Sequence, residues 1–422
     1  MLGAAIVVDA QVDLSILQTV QHRSFRYRFY PTPEQESLLR RTFGCCRLVY
    51  NKALEQRISS WKSDGVALRF PEQSRALTQW KKTDDLAFLR EVSCVPLQQT
   101  LQHLQLAYER FFGKLARFPA FKRKKNGGSA EFTSHAFRIK GGELWLAKMK
   151  APLAVRWSRP LPKGAKPKLA AVSVDKAGRW HVSLVCEDLS IRPLKRTKSA
   201  VGIDLGLATL ATLSTGERIA NPNHDGLDLA RRRRLGRLYS RKEKGSKNKE
   251  KARLKLARVY ARITDRRKDF LHKLTTRLVR ENQTIAVESL NIRGMVHNRS
   301  VARAIHDAGW GELARQLKYK CKWYGRTLVK VDQFFPSSKT CSACGMIRKA
   351  LRRDVRAWRC ECGAEHDRDH NAAKNILAAG LAVSGCGPGV SQRALRSTVQ
   401  SGKKQQFWIA KPRSQPIGRV AI

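Results

Sequence analysis

The hydrophobic pattern changes its period along the chain, and this change predicts several structural units rather than one. Apolar residues recur at helical spacing between residues 33 and about 118, and then alternate as in strands from Phe132 to Glu187. One earlier strand, Phe25 to Tyr30, precedes the helices. A chain of 422 residues also exceeds one ordinary domain. We therefore expect a small β-sheet or barrel, split from its first strand by a helical insert.

The helical insert begins with a clear N-terminal signal. Thr32 can cap a helix, Pro33 suits its first position, and Gln35 completes a capping box. Two helices with apolar faces are predicted to follow. Their face residues are Leu39, Phe43, Cys46, Tyr50, Ala53 and Trp61 in the first helix, and Leu97, Leu101, Leu104, Tyr108, Phe111 and Leu115 in the second.

A second unit, with both strands and helices, is predicted to begin at Val201. The apolar run Val201-Gly202-Ile203 predicts a strand, which returns as a hairpin through Leu210 to Leu213. Residues 231–280 combine many Lys and Arg with an apolar stripe, so we expect one basic helix with a buried face. The later predicted elements are a strand at Thr284–Val287, a helix from about Trp310 to Gly325, and a strand at Thr327–Val331.

The charge of the chain points to a polyanionic partner. Lys and Arg number 83 against 34 Asp and Glu, so the formal net charge is +49. A compact fold with this charge repels itself unless a polyanion neutralises it, and nucleic acid is the expected partner. A membrane surface is the alternative, but no apolar run approaches the roughly 20 residues of a spanning helix. The candidate nucleic-acid-binding residues are Lys122, Arg123, Lys124, Lys125, Lys251, Arg253 and Lys255.

The two ends of the chain and six of its ten cysteines carry signals of composition and spacing only. Asp9 and Asp13 interrupt the first apolar stretch, and no basic region precedes it, so we expect no secretory signal and a cytoplasmic protein. Residues 386–422 are basic and lack periodicity, which predicts a disordered tail. Six scattered cysteines are expected to be buried free thiols: Cys45, Cys46, Cys94, Cys186, Cys321 and Cys386.

Four other cysteines have metal-ligand spacing. Cys341 and Cys344 are separated by two residues, and after fifteen residues Cys360 and Cys362 are separated by one. Two close pairs of thiolates predict one structural Zn²⁺ ion in a ribbon, although the second spacer is shorter than usual. A disulfide is the weaker alternative in a cytosolic protein. Because all four zinc positions are filled by protein, we expect no catalysis at this site.

Three carboxylates stand at the ends of predicted elements. Asp204 lies in Gly202-Ile203-Asp204-Leu205-Gly206, Glu288 follows an apolar strand, and Asp369 begins an Ala-rich helix. Taken singly, they fit a turn residue, an edge-strand glutamate and a helix cap. Taken together, they can hold Mg²⁺ or Mn²⁺ ions for phosphodiester hydrolysis. The glycines around Asp204 would let a phosphate backbone come close.

In their order along the chain, these residues resemble the TnpB family of transposon-encoded RNA-guided nucleases, relatives of the type V CRISPR effectors. The resemblance covers about residues 23–380. The segments that carry it are Tyr30-Pro31-Thr32-Pro33-Glu34-Gln35, Tyr50-Asn51, Phe118-Pro119-Ala120-Phe121-Lys122, Gly202 to Gly206, Asp269-Phe270-Leu271-His272-Lys273-Leu274, Val287-Glu288, Phe335 to Cys341, and Asp367-Arg368-Asp369-His370-Asn371-Ala372-Ala373.

The resemblance implies a multidomain α+β and α/β fold with an RNase H-like (RuvC) nuclease domain. It implies a RuvC triad of Asp204, Glu288 and Asp369, with Asp367 as a neighbour that could be confused with the last. The implied domains are an N-terminal extension at 1–22, a wedge-like β-barrel at 23–32 and 126–195, a helical recognition domain at 33–125, a RuvC-like domain at 196–338 and 364–385, a zinc ribbon at 339–363, and the tail at 386–422.

The implied activity is Mg²⁺-dependent cutting of double-stranded target DNA, guided by RNA from the transposon end and beside a short flanking motif. One alternative is a guided DNA-binding repressor whose nuclease has decayed, but all three carboxylates are present. Another is an accessory transposase, which would need a second catalytic constellation, and the sequence shows none. We therefore expect an RNA-guided DNA endonuclease.

Overall fold

Interleaved segments of the chain build two units in the computed structural model. It describes residues 22–124, 127–162, 164–188, 191–352 and 354–385. The first unit contains the described residues up to 198, 221–283 and 292–327, and the second contains 199–220, 284–291 and those from 328 onwards. The predicted extension before residue 22, the tail at 386–422, Lys125 and Cys386 lie outside the described residues.

In the sheet of the first unit, the first strand of the chain is an inner strand with a neighbour on each side. Its strands are β1 (His22–Tyr30), β2 (Gly128–Thr133), β3 (Phe137–Lys140), β4 (Glu143–Leu146), β5 (Ala154–Arg156), β6 (Pro167–Val174) and β7 (Trp180–Glu187). Five of them form a sheet in the order β2-β6-β7-β1-β5, and β3 pairs with β4. The predicted strand at Phe25–Tyr30 is confirmed, because Phe25, Tyr27 and Phe29 alternate into the core. The described pairings leave β2 and β5 as edges, so the barrel stays a prediction.

Helices separate β1 from β2 in the sequence. They are α1 (Pro33–Asp64), α2 (Phe70–Trp80), a 3₁₀-helix (Asp84–Arg90) and α3 (Cys94–Phe112). The predicted capping box is confirmed, because the Thr32 hydroxyl accepts the Gln35 N–H at 3.3 Å and the Gln35 side chain accepts the Thr32 N–H at 3.1 Å. Gln35 is therefore buried at the start of the helix and also donates to the carbonyl groups of Ala151 and Pro152.

Two residues placed on the apolar helix faces are exposed, and one prediction of burial, that of Cys94, is wrong. Trp61 is 63% exposed because it lies in the last turns of α1, beyond the last buried residue, Arg57. Leu115 is 82% exposed because α3 ends at Phe112. The Cys94 thiol is exposed at the start of α3, whereas four other scattered cysteines are buried as expected: Cys45, Cys46, Cys186 and Cys321.

The predicted basic helix at 231–280 is two helices. The helices of this part of the first unit are α4 (Leu229–Ser240), α5 (Lys247–Glu281), α6 (Ile292–Met295), α7 (Arg299–Ala308) and α8 (Trp310–Tyr324). The chain breaks after Ser240 and passes through Gly245, whose φ of +91° favours glycine. Ser246 then caps α5 by accepting the Lys249 N–H at 3.1 Å. The apolar stripe of α5 packs on α4 and α8, so the buried face was predicted correctly. The prediction of one continuous helix was wrong.

Lys320 on α8 is a buried cation at the contact with α5. Its ammonium donates 2.7 Å hydrogen bonds to the His272 carbonyl and to the hydroxyl groups of Thr275 and Thr276. Burial, with a smaller effect of Arg280, lowers the pKa of Lys320 to about 8. The cation is therefore held at a cost in free energy.

We expect the free energy of unfolding to rise between pH 8 and pH 10, and Lys320→Met to abolish that rise. In this range the unfolded chain binds the Lys320 proton, since its pKa there is near 10.5, whereas the folded chain releases it. The expected difference is about 2 kcal/mol. Urea unfolding of both proteins at the two pH values measures it, and equal rises in both proteins would contradict this assignment.

The second unit contains a mixed five-stranded sheet covered by a helix. Its elements are β8 (Ala200–Leu205), β9 (Thr209–Leu213), β10 (Arg218–Ala220), β11 (Thr284–Glu288), β12 (Thr327–Val331), β13 (Ala357–Arg359), β14 (Glu365–Asp367) and α9 (Arg368–Gly385). The sheet order is β10-β9-β8-β11-β12, and β11 runs parallel to β8. Helix α9 packs on β8, β9 and β11. The prediction of a mixed α/β fold is confirmed.

Candidate active site and metal centre

Two of the three predicted carboxylates end neighbouring parallel strands. Ile203 on β8 pairs with Val287 on β11, so the next residues, Asp204 and Glu288, lie side by side at the carboxyl ends of these two strands. Asp369 is the second residue of α9, the helix that packs on both strands. The fold therefore brings together three residues that are far apart in sequence.

The three carboxylates repel one another. Burial, and then the charges of Asp369 and Glu288, raise the pKa of Asp204 to about 7. Burial also raises the pKa of Glu288. Oxygen ligands that are costly to ionise and lie beside like charges are stabilised by a bound cation, so this donor set fits Mg²⁺ or Mn²⁺.

Two arginines offset part of this repulsion, and the sequence reasoning missed both. Arg356 Nη1 lies 3.3 Å from Asp369 Oδ1, and the charges of Arg368 and Arg356 act to lower the pKa of Asp204. Arg356 comes from the segment between the two cysteine pairs. The only sequence signal was a basic residue within that segment, which does not distinguish it from its basic neighbours.

Asp367 has a different environment from Asp369. It accepts the His370 N–H at 2.9 Å, at the start of α9, and pairs with Arg218 at 2.6 Å. Burial raises the pKa of Asp367, but these two contacts outweigh burial and lower it on balance. The structure therefore assigns Asp367 to holding the helix start, and leaves Asp369 beside Asp204.

The glycines around Asp204 are needed for packing. A Cβ atom on Gly202 would lie 2.1 Å from the Ala373 carbonyl oxygen and 2.7 Å from the Leu377 nitrogen. A Cβ atom on Gly206 would lie 2.7 Å from the Thr209 carbonyl oxygen. The space that a side chain would occupy is filled by α9 and by the turn into β9, so packing requires glycine at both positions.

The four predicted metal-ligand cysteines converge. Their Sγ atoms all lie within 4.8 Å of one another, with 3.8 Å between Cys341 and Cys362 and 3.7 Å between Cys344 and Cys360. A tetrahedral zinc site with Zn–S bonds of about 2.3 Å has S···S edges of about 3.8 Å. This cluster could therefore hold one Zn²⁺ ion.

A histidine outside the predicted ligand set contacts this cluster. His366 Nε2 lies 3.0 Å from Cys341 Sγ, and its ring packs on Trp358. Burial raises the pKa of the Cys341 thiol, but the N–H groups of Cys344 and Ala343, together with His366, outweigh burial and lower it on balance. The thiolate is the form that binds metal, so these contacts favour a ligand at this position.

The predicted nucleic-acid-binding residues differ in exposure and in their contacts with other protein groups. Lys251 and Lys255 are exposed on α5, whereas Arg253 pairs with Glu250 at 2.6 Å and donates to the Lys176 carbonyl. Arg123 and Lys124 are exposed, and the Lys122 ammonium lies 4.0 Å from the ring centroid of Tyr50. Lys125 lies outside the described residues. No described helix has the length and apolar character to span a bilayer.

Comparison with family models gives three matches. The model described as "Probable transposase" matches residues 181–299, and a Cas12f1-like TNB domain matches residues 310–376. A helix-turn-helix model matches residues 21–65. The described part of that last segment, residues 22–65, forms strand β1 followed by the single helix α1.

Similar proteins match over nearly the whole chain. A Streptomyces pristinaespiralis protein described as an RNA-guided DNA endonuclease is 58% identical over 386 residues, covering 91% of this chain and 96% of the relative. InsQ of Escherichia coli K12, described in the same way, is 31% identical over 398 residues, covering 90% and 96%. Among solved structures, a Cas12f1–sgRNA–target DNA complex aligns with a TM-score of 0.54 at 14% identity, covering 85% of this chain and 99% of that one, which shows similarity of fold.

Proposed function

We propose, because this chain belongs to the TnpB family of RNA-guided DNA endonucleases, that it cuts double-stranded DNA at sites chosen by a bound guide RNA. In RNA-guided recognition, base pairing between guide and target supplies sequence specificity. The protein holds the nucleic-acid backbone and reads a short flanking motif. The net charge of +49 supports two polyanionic partners. We further propose that the guide is transcribed from the transposon end and that the protein acts in the cytoplasm.

The observation that carries the nuclease assignment is that Asp369, at the start of α9, lies near Asp204 and Glu288 at the carboxyl ends of β8 and β11. The mixed sheet, with one antiparallel meander and a parallel neighbour, supports the RNase H-like (RuvC) assignment. We assign Mg²⁺ or Mn²⁺ to these carboxylates and one Zn²⁺ to the four cysteines. When bound there, divalent ions would supply an activated water and stabilise the leaving oxygen of a phosphodiester.

The protein groups around this site would bind and orient the DNA strand. The Arg356 guanidinium lies beside Asp369, where it can contact a phosphate oxygen of the strand to be cut. Asp367 accepts the His370 N–H and pairs with Arg218 at the start of α9. The domain boundaries predicted from the resemblance, including the recognition domain at 33–125 and the zinc ribbon at 339–363, remain part of this proposal.

The test is to purify the chain with its RNA and to sequence that RNA. A plasmid library that carries the matching target beside randomised flanks is then incubated with Mg²⁺, with Mn²⁺ or with a chelator. We expect double-strand cutting beside one flanking motif, with loss of cutting in the chelator. Guide-dependent binding without cutting would instead support the repressor alternative.

A second prediction concerns the exposed lysines of α5. Replacing Lys251 and Lys255 with Gln should weaken binding to RNA about equally for all guide sequences. Each lost phosphate contact should reduce the slope of log affinity against log salt by roughly 0.7 to 0.9. Arg253→Gln is the matched control and should change this slope less, because Arg253 is engaged with Glu250 and Lys176. Filter binding at several salt concentrations measures the slopes, and an unchanged slope in the double variant would exclude phosphate contacts there.

A further inference from the structure

Two asparagines of the motif Asp367 to Asn375 are buried on α9. Asn371 and Asn375 are 2% and 6% exposed and lie one helical turn apart, on the same face of the helix. A buried amide side chain must satisfy its hydrogen bonds within the protein. Their partners therefore show what this face of the helix holds.

Both side chains bind the backbone of the turn that leads into the first cysteine pair. Asn371 donates to the Thr340 carbonyl at 2.7 Å and accepts the Ser342 N–H at 2.9 Å. Asn375 donates to the carbonyl groups of Ser337 and Thr340, at 2.8 and 2.7 Å. Thr340 and Ser342 flank Cys341, so the first cysteine pair is fixed to α9 through these two side chains.

We define residues 337–367, which contain all four cysteines, as the cysteine segment. The second half of this segment contacts the start of the same helix. The Arg368 N–H donates to the Arg356 carbonyl at 2.8 Å, and the Arg368 side chain donates to the Arg352 carbonyl at 2.9 Å. Arg356 itself pairs with Asp369. The four sulfurs join the two halves, so a metal there would make one rigid piece that contacts α9 on both sides of Asp369.

We propose that Asn371 and Asn375 are positioning residues, which couple the metal-bound cysteine segment to the place that Asp369 occupies in the carboxylate site. This rests on the proposed function of the three carboxylates. The cysteine segment acts as a brace: with Zn²⁺ bound and the asparagines in place, the first turn of α9 is held so that Asp369 faces Asp204. If Zn²⁺ or the asparagine side chains are removed, the first turn of α9 is free to shift. Asp369 then no longer lies in the position, relative to Asp204, that binds the divalent ion.

The experiment measures Mn²⁺ binding at the carboxylates by electron paramagnetic resonance, on full-length zinc-loaded protein. The variants are Asn371→Ala, Asn375→Ala and the double variant, and Asp369→Asn marks the loss of the site. Lys374→Ala is the matched control, because Lys374 lies between the two asparagines and is exposed. Zinc content and target binding are recorded for every variant.

We expect Asn371→Ala to weaken Mn²⁺ binding about tenfold and to raise the Mn²⁺ or Mg²⁺ concentration for half-maximal cutting by the same factor. Asn375→Ala should have a smaller effect, because only Asn371 also accepts the N–H of Ser342, the residue next to Cys341. Zinc content and target binding should stay unchanged, whereas a merely structural role would lower stability without shifting the metal requirement. Removing zinc from the unaltered protein should weaken Mn²⁺ binding in the same way.

Two results would overturn the coupling. One is unchanged Mn²⁺ affinity in the zinc-loaded asparagine variants, and the other is unchanged affinity in the zinc-free parent protein. If Mn²⁺ affinity depends on the two asparagines and on bound zinc, but the parent protein cuts no DNA, the proposed function fails and the coupling stands. If a variant loses zinc, the single Asn375→Ala protein and the zinc-removal comparison still decide the question.

Discussion

Asp204→Asn is expected to lower the rate of target cutting about a thousand-fold while leaving RNA and target binding within about twofold. Asn cannot supply the anionic oxygen that a divalent ion requires, and loss of roughly 4 kcal/mol of transition-state stabilisation corresponds to this factor. The same loss is expected for Glu288→Gln and Asp369→Asn. Single-turnover cutting with Mg²⁺, beside gel-shift binding of the same target, measures both quantities.

Asp367→Asn is the matched control for this series. Asn can still accept the His370 N–H, and the lost pair with Arg218 is partly exposed and worth little. We expect its cutting rate to stay within about fivefold of the parent protein. If Asp367→Asn abolished cutting and Asp369→Asn did not, the assignment of the third carboxylate would be reversed.

Cys360→Ser is expected to reduce bound zinc from about one ion per chain to nearly none and to abolish cutting. Structural zinc sites contribute roughly 10 to 16 kcal/mol of binding free energy, so a site that lacks one thiolate cannot keep the segment folded. Arg356 and the turn bound by Asn371 belong to that segment, so the carboxylate site should lose both supports. Metal analysis by mass spectrometry and the cutting assay report the two effects.

RNA binding should survive this change, because the exposed lysines of α5 lie in the first unit and the cysteines in the second. Cys94→Ser is the control, since Cys94 is an exposed thiol outside the cluster. It should keep its zinc and its cutting rate. A Cys360→Ser protein that retained one zinc ion per chain would remove Cys360 from the site.

Several elements of both units could be predicted because their signals are local. The capping box at Thr32, the apolar run at Val201–Ile203 and the run at Thr284–Val287 each depend on neighbouring residues. The cysteine spacing likewise limited where a metal could bind. These local signals were sufficient to select Asp204 and Glu288 as candidates before any pairing of β8 with β11 was known.

The contacts that complete the site could not be predicted, because they join residues distant in sequence. Arg356 is one of many arginines, and only the fold places it beside Asp369. His366 and Asn371 carry no spacing signal that relates them to Cys341. The packing role of Gly202 was missed for the same reason, since its neighbour is the backbone of a helix more than a hundred residues later.

The discontinuity of the second unit has a consequence for the protein during its synthesis. The segments at 199–220 and 284–291 leave the ribosome well before α9, and Asp369 is the last of the three carboxylates to emerge. Domains form as the chain is made, from the N-terminus onwards. The exposed lysines of α5 are all made before the sheet can receive its covering helix. A nascent chain is therefore expected to acquire the lysines that we propose to bind RNA before it acquires the third carboxylate that we propose to act in cutting.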